Sequence, residues 1–316
     1  MSSRGLGRAR SRTPKHTLPA FRGAAIAALT AVALPAAAGA QQPAAPTVEA
    51  DGPQAGATEP EPKSKASSDA TKQARMRRTE ASPRRAFADS GRKARFDFKL
   101  AGKKTRTLVV KVKKLSDGKT RRRWRLKDVE PGETQTVTWG GKTRKGGFSR
   151  QGKHVFKVYE PGKGKTDMSE ANGKKRFRFY RHRFPIRANH TYGDGFGAGR
   201  GHQGVDIFAK CGRSLRAVRG GKVEVRAHHG AAGRYIVIDG HGTDRDYVYM
   251  HMQRRKRPQV GDRVKTGEKI GFVGETGNAS GCHLHFEVWR GPGWYQGGSP
   301  VRSIKRMTQR WATYSW

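Results

Sequence analysis

The sequence predicts a mainly β protein in two successive parts, a small β-sandwich followed by a larger β-rich domain. Three observations predict it. Leu108, Val110 and Val112 alternate with Val109, Lys111 and Lys113, the period of a half-buried strand. Glycine-bearing turns such as Ser116-Asp117-Gly118 and Gly140-Gly141 punctuate these runs, as hairpins require. Helical periodicity is nearly absent until Ser303 to Trp311.

The N-terminus reads as an export signal. Arg4, Arg8, Arg10, Arg12, Lys15 and Arg22 make a basic leader, and Gly23 to Ala37 is apolar and uncharged. Ala38-Gly39-Ala40 supplies the small residues a signal peptidase accepts, so residues 1–40 are expected to be removed near Ala40. A membrane anchor is the competing reading of the same length of chain. Pro35, the alanine-rich composition and the lack of a basic stop-transfer flank count against it. Residues 41–84 are rich in Pro, Ala, Ser, Glu and Lys and have almost no large apolar side chains, which predicts a disordered basic linker.

Residues 85–180 are expected to form the sandwich. Its strands are Leu108 to Lys113, a return strand Thr120 to Leu126, Gln135 to Trp139, and His154 to Tyr159. The order of Trp139, Gly140, Gly146, Gly147, Gly152 and Phe156 resembles the Ig-like domain of flagellar hook-capping proteins, which implies an Ig-like β-sandwich. Residues 181–316 carry further strand-like runs at Val205–Phe208, Gly221–Arg226, Tyr235–Asp239, Tyr247–Met252, Lys269–Val273 and His283–Trp289.

Charge bounds the partners. The 316 residues include 66 Lys+Arg and 25 Asp+Glu, a net charge of +41. Residues 85–180 hold 29 bases and 9 acids, about half of that net charge. Such a field attracts polyanions, whether nucleic acid, anionic lipid or phosphate-rich wall polymers. Compartment ranks them: an exported chain is not expected to bind nucleic acid, nor a membrane once its signal is cleaved. Anionic wall polymers are left as partners of the basic middle part.

Two short motifs carry chemistry, His202-Gln203-Gly204-Val205-Asp206 and His283-Leu284-His285. In a strand, residues i and i+2 share a face, so His283 and His285 point together while Leu284 enters the core. One imidazole can then bind a metal while the other stands beside an open coordination position, as a metal hydrolase needs. In a straight strand His202 and Asp206 would lie about 13 Å apart, so the chain must curl between them, with Gly204 the place where it can.

These residues, with Tyr249-Met250-His251-Met252 between them, resemble the lysostaphin-type family of zinc endopeptidases that degrade peptidoglycan. The resemblance extends over Gly220 to Val223, Val260 to Val264 and Gly271 to Gly277. It implies a β-rich peptidase domain and a secreted hydrolase of peptidoglycan peptide bonds with one Zn2+ per chain. His202, Asp206 and His285 would be the zinc ligands, and His251 and His283 the uncoordinated pair that activates water. The family's upstream tyrosine has Tyr192 as its nearest counterpart, to which no role is assigned. A non-catalytic wall-binding or amidase-activating protein on the same fold is the alternative, against which the five filled positions count.

Other residues receive plainer readings. His154, His182, His190, His228, His229 and His241 are expected to be structural or solvent-facing. Among Glu268, Glu275 and Glu287, the last shares a strand face with His283 and His285 and is the best-placed candidate base, although the resemblance gives that work to histidines. If Asp206 and His285 share a metal, Cys211 and Cys282 are neighbours. They are then expected to form a disulfide, with a thiolate ligand as the other reading.

Overall fold

The computed structural model describes residues 75–164, 166–169, 174–199, 201–255, 258–294 and 296–316. The expected signal 1–40 and residues 41–74 of the expected linker lie outside the described residues.

Met76–Ser82, Ala94–Leu100 and Thr134–Trp139 form an antiparallel three-stranded sheet. A five-stranded sheet runs in the order Arg85–Phe87, Arg176–Tyr180, Gly152–Tyr159, Arg106–Lys114, Thr120–Val129. Its edge pair Arg85–Phe87 and Arg176–Tyr180 is parallel. The two sheets share one apolar core, in which Phe96 of the smaller stacks on Phe156 of the larger at 4.8 Å. Alternation sorts the side chains as expected. Leu108, Val110 and Val112 enter this core, while Lys111 and Lys113 stay partly exposed.

One boundary needs correction. Met76–Ser82 lies inside the stretch expected to be linker, yet it is an edge strand with Met76, Thr79 and Ala81 buried. Its buried side chains are mostly small and its other positions charged or polar, so its apolar signal is too weak to mark a strand.

The second block is one antiparallel sheet in the order Arg263–Val264, Gly221–His229, Gly233–Gly240, Arg245–Met252, His283–Arg290, Val205–Phe208, Thr191–Tyr192, with Ser299–Pro300 added against His283–Arg290. Ser214–Arg216 and Lys269–Phe272 make a separate ribbon. One face of the large sheet is apolar. Val205, Ile207, Tyr247, Tyr249, Leu284, Phe286 and Val288 pack there with Ile304, Trp311 and Tyr314 of the helix Ile304–Ser315. The opposite face carries a smaller cluster of Tyr235, Val237, Val248, Met250 and Trp289. Beside that cluster lie the buried polar residues His251, His283, His285 and Glu287.

The two blocks pack against each other. Phe87 joins the core of the second block, and Tyr180 stacks on Tyr314 at 3.8 Å. Asp89 meets His241 Nδ1 at 3.0 Å, and Arg85 donates to the backbone oxygens of Tyr314 and Trp316. Among the described residues no helix is long and apolar enough to cross a membrane.

Candidate metal centre

Strand register builds the site. Asp206 lies directly opposite His285, and Phe208 opposite His283. Opposed residues of an antiparallel pair project on one face, so both pairs face away from the core that takes Val205, Ile207, Leu284 and Phe286. His202 arrives from the preceding loop. A Cβ on Gly204 would lie 2.6 Å from the carbonyl oxygen of Phe286 and 2.7 Å from His285 Nε2. Glycine is required there because the loop passes so close under His285.

Three atoms able to hold a metal ion converge. His202 Nε2 and Asp206 Oδ1 are 3.2 Å apart, His285 Nδ1 and Asp206 Oδ1 2.9 Å, and the two nitrogens 3.1 Å. Tetrahedral zinc with bonds near 2.0–2.1 Å requires ligand separations of about 3.3 Å. The triangle is therefore the right size, and two imidazoles with one carboxylate suit zinc.

The tautomers follow from the partners, because a carbonyl oxygen can only accept. His202 Nδ1–H donates to Gly195 O at 2.7 Å, His251 Nδ1–H to Thr276 O at 2.8 Å, and His283 Nδ1–H to Gly281 O at 2.8 Å. Each keeps Nε2 as its other ring nitrogen. His285 is the reverse: Nε2–H donates to Glu287 Oε1 at 2.9 Å, leaving Nδ1 for Asp206.

Electrostatics agree with a cation site. Burial works to lower the pKa of His285, but Asp206 and Glu287 on either side raise it to about 9. Burial likewise opposes ionisation of Asp206, yet hydrogen bonds from His202 and His285 hold it well below the usual carboxylate range. The pocket takes up a positive charge between two carboxylates.

His251 reaches this face through a backbone irregularity. Tyr247 and Tyr249 enter the core, and simple alternation would send His251 after them. Instead His251 has φ of +57° and the pairing with Gly233–Gly240 slips there, so Met252 enters the core in its place. The His251 ring then lies 4.6 Å from that of His283 and 6.0 Å from that of His285. Burial, above all, lowers its pKa to about 4, so it is neutral at neutral pH.

The remaining candidates fall elsewhere. Both carboxylate oxygens of Glu287 are engaged: Oε1 with His285, and Oε2 with the indole N–H groups of Trp289 at 2.6 Å and Trp294 at 3.0 Å. It orients His285 and is not free to act as a base. The signal for this was in the sequence, since Glu287 and Trp289 continue the i+2 series begun by His283 and His285. Glu268 caps a turn through the N–H of Lys265, and Glu275 is exposed. Tyr192 packs on the core side of the sheet, where burial pushes its pKa up to about 12. His154, His182 and His190 pack on aromatic rings. Cys211 and Cys282 are joined in a disulfide, which removes the thiolate-ligand reading.

Residues 200–302, which include all five site residues, match the family described as Peptidase family M23. The C-terminal region thus carries a peptidase M23 domain. It is 35% identical over 107 residues to glycyl-glycine endopeptidase ALE-1 of Staphylococcus capitis, covering 31% of this chain and 29% of that protein. It is 38% identical over 90 residues to peptidoglycan DD-endopeptidase ShyC of Vibrio cholerae, covering 28% and 20%. The chain thus spans less than a third of the length of either relative. The solved catalytic domain of lysostaphin from Staphylococcus simulans is 27% identical, covering 38% of this chain and 93% of that one, with a TM-score of 0.34.

Proposed function

We propose that the protein is an exported zinc endopeptidase that hydrolyses peptide bonds of bacterial peptidoglycan. One observation carries this reading: three ligand atoms set at tetrahedral separations, beside two buried histidines that are not part of the triangle. The M23 match and the peptidoglycan endopeptidases among the relatives supply the substrate class. The same reading divides the chain into a signal 1–40, a linker that ends before Met76, an Ig-like sandwich from Met76 to Tyr180 and a peptidase domain 181–316.

His202, Asp206 and His285 would hold one zinc per chain. When bound, zinc supplies Lewis acidity that polarises a carbonyl and acidifies water. The protein supplies the rest. His251 stays neutral with Nε2 unprotonated, so it can accept a proton from water. His283 is held by Gly281 with Nε2 3.8 Å from Asp206 Oδ1, on the side of the cluster facing His251. Either ring can take up a proton at Nε2, and only then does that Nε2–H become a donor to a developing oxyanion or a leaving amine.

Elemental analysis of the purified protein, with digestion of peptidoglycans of different crosslink chemistry, tests this. Near one zinc per chain and release of peptide-cleaved fragments identified by mass are expected. Full zinc retention in both His202→Ala and His285→Ala would overturn the ligand set. A zinc-loaded parent that releases nothing from any wall would select a non-catalytic wall protein.

A further inference from the structure

The five-stranded sheet has one face in the core and one turned outward, and the outward face is cationic. Lys111 lies directly opposite Arg123 on one neighbouring strand and Lys157 on the other. One step along, Lys113 lies opposite Val155, which lies opposite Arg176 on the next strand. Arg125 lies opposite Val109 one step the other way. Residues 109–113, 121–127, 153–159 and 176–178 contain no acid at all. Among the described residues, the acid paired with a cation of this face is Asp167, 3.6 Å from Lys157. It is already held by Lys175, the Ser169 hydroxyl and two backbone N–H groups.

Like charges directly opposite on adjacent strands destabilise a sheet. Here they are stacked in register, with Arg123, Arg125 and Arg176 exposed, Lys111, Lys113 and Lys157 partly exposed, and Val109 and Val155 buried beneath them. Burial foremost, and then the charges of Arg123 and Lys113, lower the pKa of Lys111, as expected of a cation crowded by others. The spacing is regular, about 5 Å across strands and about 7 Å between alternate residues of one strand. A flexible chain with a negative charge at every repeat can lie across such a grid. The aromatic ring of this face, Tyr159, is capped by the Lys111 ammonium at 4.4 Å, so it offers no platform on which a nucleic-acid base could stack.

We propose that the outer face of this sheet is a docking surface for a linear phosphate-diester polymer of the cell wall, read by charge alone. It rests on the wall reading above only for the source of the polymer. The face belongs to the strands that precede the metal centre, so occupancy would hold the peptidase against its substrate without filling the site.

The test uses the full chain, stripped of metal so that nothing is cleaved. Probes are linear inorganic polyphosphate and purified walls, before and after chemical removal of their phosphate polymers. Each neutralised phosphate contributes about 0.7–0.9 to the slope of log K against log salt. The variant Lys111→Gln/Lys113→Gln/Arg123→Gln/Arg125→Gln should therefore lose about 3 units of slope on polyphosphate and on native walls. A control removing four exposed charges elsewhere, Arg263→Gln/Lys265→Gln/Arg290→Gln/Arg302→Gln, should lose clearly less. Thermal melting checks that both variants fold. Equal loss in the two variants, an unchanged slope in the first, or undiminished binding to stripped walls would each overturn the proposal. Cleavage of a short soluble peptide by the zinc-loaded proteins is measured separately, so failure of the peptidase reading would show there and not in the slopes.

Discussion

The Glu287 carboxylate decides which nitrogen of His285 faces Asp206. Its Oε1 accepts the Nε2–H of His285, while its Oε2 accepts two indole N–H groups, from Trp289 and Trp294. Glu287 is 4% exposed, so neither oxygen has water as a substitute partner.

Glu287→Gln is therefore not conservative. The indoles only donate, so the amide oxygen must turn towards them and the NH2 towards His285. That orientation favours the tautomer with the proton on Nδ1, the atom needed for zinc. Zinc affinity should fall by about 10- to 100-fold, the usual cost of losing such an outer partner, measured by chelator competition. In a Trp289→Phe/Trp294→Phe background the amide is free to present its oxygen to His285, and Glu287→Gln should cost much less. Equal losses in both backgrounds would show that the indoles do not set the orientation.

His251 sits in a left-handed conformation that costs a non-glycine residue about 1–2 kcal/mol. His251→Gly should therefore be more stable than His251→Ala by about 1 kcal/mol, read from urea unfolding. Both should keep their zinc, since His251 is not one of the three converging ligands, yet peptidoglycan cleavage should fall by about 10² to 10⁴. Loss of zinc along with activity would place His251 in the metal shell instead.

What the sequence made legible was whatever strand periodicity controls. His283 and His285 could be put on one face because Leu284 between them so plainly belongs to the other, whereas Asp206 joined them only through the family resemblance, since its face depends on its register opposite His285. His251 broke that rule: its face depends on a pairing slip and a positive φ that Tyr249-Met250-His251-Met252 does not announce. Glu287 was visible as a neighbour, but its role needed Trp294, which arrives from a loop beyond the strand. The edge strand Met76–Ser82 stayed hidden because its buried side chains are mostly small.

The Cys211–Cys282 bond ties the chain just past Phe208 to the residue before His283, across a sequence separation of 71. Closing a loop of that length stabilises by about 4 kcal/mol in the chain-entropy model. Cys211→Ala/Cys282→Ala should unfold at correspondingly lower urea concentration, and mass spectrometry of the exported protein should find no free thiol. Two alkylatable cysteines in natively exported material would remove the claim.

His154 is wholly buried between Trp139 and Phe177, with Nδ1–H donating to Gly152 O at 3.0 Å. Burial above all lowers its pKa from 6.5 to about 4. Protons then bind the unfolded chain more readily than the folded one between those values. The contribution of His154 is fully present above pH 6.5 and is lost as pH falls towards 4, an effect of about 3 kcal/mol. Replacing the imidazole with an amide that cannot titrate isolates it. His154→Gln should lose stability less steeply between pH 6.5 and 4 than the parent, with the two curves converging by about that amount. Histidines of the metal centre titrate in both proteins and cancel in the difference. Parallel curves across this range would mean that His154 is already protonated in the folded protein, and that the pocket formed by Trp139, Phe177 and Ser149 tolerates its charge.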